Sequence, residues 1–335
     1  MNLKKGTGAI IVFSVVALLF AASYYFGYNT TIKNDSVFRR TKMAMGTVVE
    51  FVVKGESRSK AEEAVELAFN EILRIDKLCS TYMEDNQVAR INDQQTDSVE
   101  IDPELLSLLK RSEKISEMTG GAFTPALGNL IKLWGFESGS PSVPAEKDIR
   151  SALNNSGDTL FELKEPGMII KKRNVSINLS AVAKGYAVDR AYEVLKAAGV
   201  AQFLINAGGE IRVNGSNWTL GIQDPGEKSE IISKIQLENI SVATSGDYEQ
   251  YFEQDGVKYH HILDPATGYP AKGVMSVTVI TKDVETADAL ATGIFVMGTE
   301  KGLKLAEQNK DFEVMIVDSE GKIHMTDGFK KFIRS

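Results

Sequence analysis

Beyond residue 40 the sequence keeps switching between the period of a helix and that of a strand. It never settles into the strand–helix–strand rhythm from which parallel sheets are wound. That irregular order points to an α+β architecture rather than a doubly wound sheet. A strand is predicted over 47–53, entered through Met43-Ala44-Met45-Gly46. An amphipathic helix from about residue 59 then carries Val65, Ala68, Phe69, Ile72, Ile75 and Leu78 on its apolar face. Asp102-Pro103-Glu104 reads as a helix start, with an N-cap, a proline at the first helical position and an acid in the first turn. Gly120-Gly121 ends that helix. SGSPSVP (138–144) is the best internal linker candidate, followed by short strands and then a helix over 183–198. Residues 202–281 are strand-rich, with turns at Gly208-Gly209 and Asp255-Gly256. Helices over 285–297 and 300–309 and a strand over 312–317 close the chain.

The N-terminus sets an expectation about location. Lys4 and Lys5 precede an uncharged, mainly apolar run over 8–28, long enough to cross a bilayer as a helix of ~20 residues. Ala21-Ala22-Ser23 resembles a cleavage site, so a signal peptide is the alternative to an uncleaved anchor. No cysteine stands directly after the run, which excludes a lipoprotein, and Lys33, Arg39 and Arg40 blunt any orientation argument from charge. Residues 1–28 are therefore read as an anchor or signal helix, 29–40 as a polar tether and 41–335 as an exported body, at the bacterial cell membrane and outside the cytoplasm. A net charge of −7 argues against a nucleic-acid partner. Cys79 is the only cysteine, so neither an intrachain disulfide nor a cysteine-rich metal site exists.

Two of the chain's three histidines stand together in His260-His261-Ile262-Leu263-Asp264-Pro265-Ala266-Thr267-Gly268-Tyr269-Pro270. Imidazole suits proton transfer near neutrality, and a Pro/Gly turn at a strand end is where a sheet presents chemistry. Successive strand residues face opposite ways, so only one of the pair can serve a pocket. In Glu285-Thr286-Ala287-Asp288-Ala289-Leu290-Ala291-Thr292-Gly293, Asp288 and Thr292 share one helix face as hard oxygen donors suited to Mg²⁺. On spacing alone, an acid in the first turn and a threonine bonded back to a carbonyl account for the pattern better. Ser180-Ala181-Val182-Ala183-Lys184-Gly185-Tyr186 joins a strand to a helix and offers backbone groups and a lysine to an anion, without P-loop spacing. Gly120-Gly121-Ala122-Phe123-Thr124-Pro125, leading to Leu133-Trp134-Gly135-Phe136, fits either a flat ligand or a helix cap followed by core aromatics. Thr244-Ser245-Gly246-Asp247-Tyr248 is either a binding loop or a turn.

In order, the segments GGAFTPALGNLIKLWGF, INLSAVAKGYAVD, INAGGEI, ATSGDYEQYF, HHILDPATGYP and TADALATGIFVMG resemble the FAD:protein FMN transferase (ApbE-like) family. MGTVVEFVV (45–53) and STYMEDNQVARIN (80–92) resemble its N-terminal motifs, so the resemblance spans about 41–333. It implies an α+β fold of paired T-fold-like units and a Mg²⁺-dependent transfer of FMN from FAD to a Thr or Ser hydroxyl of a target protein, with release of AMP. It also implies Mg²⁺ on Asp288, Thr292 and the Ala181 carbonyl, and FAD near Met45, Tyr82, Ala122, Phe123, Thr124, Asn178, Lys184 and Ile262. His261 is implied as the base. The implied acceptor is an exported electron-transfer subunit.

Two positions depart from the family pattern. Thr124 and Asn178 stand where the family commonly carries aspartates, which removes two negative charges from the expected nucleotide site. Two other readings therefore stay open: a Mg²⁺-dependent FAD pyrophosphatase giving FMN and AMP, and a membrane-tethered FAD-binding protein without turnover.

Overall fold

The computed structural model describes residues 37–334, apart from 82, 84, 85, 173 and 228. The apolar run over 8–28, most of the expected tether and Tyr82 lie outside the described residues. Among the described residues no helix is long and apolar enough to cross a membrane.

The first strands are β1 (Val37–Ala44) and β2 (Thr47–Lys54), followed by helices α1 (Arg58–Cys79) and α2 (Gln87–Asn92) and by β3 (Ser98–Glu100). Helices α3 (Pro103–Met118), α4 (Gly128–Trp134) and α5 (Glu146–Leu153) lead to β4 (Phe161–Lys164), β5 (Met168–Lys171) and helix α6 (Ser180–Ala197). A strand-rich stretch contains β6 (Gln202–Ala207), β7 (Glu210–Asn214), β8 (Trp218–Gln223), β9 (Ile231–Leu237), β10 (Ser241–Gly246), β11 (Tyr251–Gln254), β12 (Val257–His260) and β13 (Val274–Thr281). Helices α7 (Val284–Met297) and α8 (Thr299–Gln308) and strands β14 (Phe312–Asp318), β15 (Ile323–Met325) and β16 (Ile333–Arg334) complete the chain.

One eight-stranded sheet runs β1-β2-β6-β7-β10-β13-β14-β15, with every neighbouring pair antiparallel. Its order divides into two halves of similar plan. In each, two strands, a helical excursion and two more strands lie side by side, α1 to α6 falling within the first half and α7 and α8 within the second. The halves meet between β7 and β10, where the register pairs only Ser241 with Arg212 and Val242 with Ile211.

Both faces of this sheet are covered. Phe51, Val53, Phe203, Ile205, Val279, Val314 and Ile316 pack beneath helices α1, α6 and α7. Their strand neighbours Val52, Leu204, Ile280 and Met315 point the other way, onto Trp218, Ile235 and Leu237 of the small sheet β16-β9-β8. Two buried faces explain why β2 reads as an almost unbroken apolar run rather than an alternating one. Each fully buried side chain of this kind contributes ~1.5–3 kcal/mol.

Strand β1 takes in residues 37–40, which the sequence places in the tether. Its row Arg39, Arg40 and Lys42 hides the strand signal, because this is a sheet edge where charge is tolerated and unwanted pairing is suppressed. Helix α6 begins at Ser180 rather than 183, which puts Ala181 in its first turn. Cys79 is buried at the end of α1, and burial pushes its thiol up to about 12, so it serves as an apolar filler.

Candidate active site

The two adjacent imidazoles face opposite ways and are held in different tautomers. His260, at the end of β12, is buried edge-on against Phe295, with ring centroids 5.4 Å apart. Its Nε2 lies 2.9 Å from the Ala271 carbonyl, which can only accept, so Nε2 carries the hydrogen. Nδ1 then accepts the Ile262 N–H at 3.3 Å. Burial holds the His260 pKa below its ordinary value. His260 thus fastens the two ends of the loop that follows it.

His261 is half-buried on the other side. Its backbone N–H donates to the Gln250 carbonyl at 3.0 Å, and its Nδ1 lies 3.2 Å from the same oxygen. The hydrogen therefore sits on Nδ1, and Nε2 presents a lone pair. Burial pushes its pKa down to about 4, outweighing the bond to Gln250, with His260 and Lys184 adding to the fall. The ring is consequently neutral at pH 7.

The intervening loop is rigid for local reasons. Asp264 accepts from Ala266 N at 2.8 Å and from the Thr267 hydroxyl at 3.1 Å, and its own N–H donates to the Tyr269 carbonyl at 2.8 Å. Trp134 Nε1 donates to the Gly268 carbonyl at 2.8 Å. Fully buried Trp134 and the Phe136 ring, whose centroid is 6.5 Å from that of His261, support the loop from below. These aromatics belong to the core under the loop, the second of the two roles that their sequence allows.

Beside this loop lies an acid-rich cluster around one lysine. Lys184, in α6, forms an ion pair with Glu210 at the start of β7. Glu210 is 2% exposed, and its Oε2 is buried with no hydrogen-bond partner among the described residues. One residue on, the Gly185 N–H donates to Asp288 Oδ2 at 3.0 Å, and Asp288 is 3% exposed. Thr292, one turn further along α7, lies with its Oγ1 3.3 Å from Ser245 Oγ of β10. Burial and the Glu210 charge push the Asp288 carboxyl up, against the pull of Lys184 and the Gly185 N–H. Burial works against the Lys184 ammonium too, but Glu210, Asp288 and Glu249 outweigh it and hold the lysine charged.

This donor set suits a hard cation. Excess buried negative charge, an orphaned carboxylate oxygen and a hydroxyl on the same helix face as Asp288 are what Mg²⁺ with phosphate oxygens would complete. No group of three His, Cys, Asp or Glu converges on a metal position among the described residues, so a cation here would rest on mixed oxygen donors.

The other expected binding residues, Tyr82 apart, come from several elements. Met45 occupies the β1–β2 turn with φ 51°, and its N–H donates to Asp76 Oδ2 at 3.0 Å. Gly208, with φ 74°, packs against the Thr47 side chain there, bringing the β6–β7 turn alongside. Phe123 is buried, half-buried Ala122 and Thr124 flank it, and the Thr124 hydroxyl donates to Asp158. Gly293, next to Thr292, leaves room for Thr119 and Phe123, so the GGAFT segment lies against α7. Asn178 is 6% exposed and Ile262 is 4% exposed. Ala181 is half-buried in the first turn of α6.

The ApbE family profile matches residues 45–316. The chain belongs to the ApbE family. It is 36% identical over 269 residues to the FAD:protein FMN transferase of Vibrio cholerae serotype O1, covering 76% of this chain and 78% of that one. The crystal structure of the apbe protein from Thermotoga maritima resembles it with a TM-score of 0.84 and 38% identity, over 90% of this chain and 100% of that one. The Pseudomonas stutzeri flavinyl transferase ApbE in its apo form does so with a TM-score of 0.80 and 30% identity, over 91% and 99%. The mixed α+β architecture is thus that of the ApbE family.

Several residues in this family member's site carried no assigned role at the sequence level. Glu210 lies in the INAGGEI segment, where an acid two residues beyond paired glycines looks like an ordinary turn exit. Asp189 acts at a distance: from α6 it accepts the Val284 N–H at 3.0 Å and the Glu285 N–H at 2.9 Å, so it caps the first turn of α7. Gly185 lets the two helices touch. A Cβ there would collide with the Val284 carbonyl and stand 2.9 Å from Asp288 Cβ. We expect Gly185→Ala to lower the melting temperature, overpacking typically costing ~1–3 kcal/mol. It should also cut activity by about 100-fold, the penalty a ~1 Å displacement of an active-site group can carry. A thermal melt and a rate measurement check this; wild-type values in both would show that the helix contact is not required.

Proposed function

We propose that this protein is a Mg²⁺-dependent FAD:protein FMN transferase that attaches FMN to a Thr or Ser hydroxyl of an exported protein and releases AMP. The observation that carries the proposal is His261: a half-buried imidazole, neutral at pH 7, with Nδ1 tied to a carbonyl so that Nε2 offers its lone pair beside a cluster of oxygen donors. The family and the names of its relatives support the substrate assignment. On this reading the two halves of the sheet are the paired T-fold-like units.

The acceptor oxygen attacks the flavin-side phosphorus of FAD. The bond from that phosphorus to the bridging oxygen breaks, AMP departs with that oxygen, and the hydroxyl proton passes to His261 Nε2. Asp288, Thr292 and the Ala181 carbonyl would hold Mg²⁺, which when bound offsets the pyrophosphate charge. Lys184 keeps its positive charge in this cluster, where Glu210 fixes its position. Met45, Tyr82, Ala122, Phe123, Thr124, Asn178 and Ile262 are the remaining residues assigned to FAD. Holding the hydroxyl in line with the phosphorus supplies much of the remaining rate enhancement. The apolar run over 8–28 would keep the catalytic body at the membrane on the extracytoplasmic side, close to exported electron-transfer subunits.

Incubation of the protein with FAD, Mg²⁺ and a candidate acceptor tests this. The expected result is a fluorescent flavin band that survives denaturing electrophoresis, together with AMP. FMN and AMP without a labelled protein would replace the proposal with hydrolysis, and unchanged FAD would replace it with simple binding.

A further inference from the structure

Thr81, Glu137 and Asn178 come from three separate segments, yet Glu137 holds the other two. Asn178 Nδ2 donates to Glu137 Oε1 at 2.7 Å, and the Thr81 hydroxyl donates to Oε2 at 3.2 Å. Asn178 Oδ1 is also engaged, accepting the Ser180 N–H at 2.9 Å just before α6. The amide is therefore fixed at both ends and has no negative charge to offer. Glu137 is half-buried and follows Phe136, whose ring faces His261 and whose carbonyl accepts from Gln250 Nε2 at 3.4 Å. It stands between the base loop and the entry to α6. A carboxylate accepts about four hydrogen bonds, so these two leave capacity on each oxygen.

We infer that Glu137 supplies the anionic hydrogen-bond acceptor of the FAD site and sets the affinity for FAD. This rests on the transferase reading above. Its partner is an uncharged O–H or N–H donor of FAD, a sugar hydroxyl or a ring N–H. The pyrophosphate is excluded, because two negative charges at that distance repel. A purely structural role would be met equally well by glutamine, whose amide oxygen accepts from Asn178 and whose NH₂ donates to the Thr81 hydroxyl. The charge is what glutamine removes.

E137Q is therefore the test, read by FAD titration without acceptor and by steady-state transfer. We expect Kd and KM for FAD to rise about tenfold or more, as for losing a hydrogen bond to a charged group, with the effect on KM rather than kcat. The melting temperature should stay at the wild-type value. N178D, which sets two carboxylates against each other, should also weaken FAD binding, and E137Q/N178D, which moves the acid across the bond, should recover it. A fall in FMN affinity as well would put the donor on the flavin half; a fall for FAD alone would put it on the adenosine half. Wild-type FAD affinity in E137Q, or no recovery in the double variant, would overturn the inference while leaving the transferase reading intact. Absence of FAD binding by the wild-type protein would overturn both.

Discussion

His261→Ala is expected to abolish covalent flavin transfer while leaving FAD bound. The imidazole has its Nδ1 hydrogen committed to the Gln250 carbonyl, so its one available function is to accept a proton at Nε2. Removing a positioned base costs typically ~10²–10⁴-fold in rate. Binding should survive, because the loop is fastened by His260, Asp264 and Trp134 rather than by His261. The pH profile adds a second reading. A base with its pKa lowered to about 4 is protonated, and silenced, only as the pH falls through that value. With Mg²⁺ saturating, so that the Asp288 carboxyl stays ionised, wild-type kcat/KM should therefore persist through pH 6 and 5, where an ordinary imidazole at ~6.5 would be mostly protonated, and fail near pH 4. A stopped assay with buffers from pH 4 to 8 measures this. An alanine variant with wild-type turnover would end the assignment, and an acid limb near ~6.5 that does not move with Mg²⁺ concentration would show that burial does not depress this group.

The second large effect belongs to Asp288. Asp288→Asn keeps an oxygen for the Gly185 N–H and removes the charge that a cation would need. A drop in Mg²⁺-dependent activity of about 100-fold or more is expected, since even residues that merely support a metal ligand account for ~10–100-fold. Stability separates this from misfolding. Burial penalises the Asp288 charge by more than Lys184 and the Gly185 N–H favour it, so the metal-free variant, which buries no charge there, should melt at or above wild type. Added Mg²⁺ and FAD should raise the melting temperature of wild type through binding to the folded state, and that of the variant far less. Full activity at ordinary Mg²⁺ would remove Asp288 from the metal site.

Much of the fold was legible because its signals are local. The proline-led start of α3, the apolar face of α1 and the paired-glycine turn after β6 each announce themselves within a few residues. Strand β1 did not, because its charges suit an edge that only the whole sheet defines. Of the small sheet β3-β5-β4, the short strands β4 and β5 are legible after the 138–144 segment, whereas three-residue β3 is too short to show a period. At the site, Asp288, Thr292 and the histidine pair stood out by residue type and spacing. Glu210, Asp189 and Glu137 did not, since each works through partners at least 23 residues away in sequence. Thr124 and Asn178 looked like lost acids, yet each side chain is hydrogen-bonded to another acid, Asp158 and Glu137 respectively.

The meeting of β7 and β10, with its two short rungs, has a mechanical meaning. Lys184 and Glu210 belong to one half of the sheet, and Ser245, His261 and Asp288 belong to the other. A ligand seated among them acts as a rivet across the line where the sheet is least sewn together. Its binding energy becomes cohesion between the halves, and amide exchange at Arg212 and Ser241 should slow when FAD and Mg²⁺ are added.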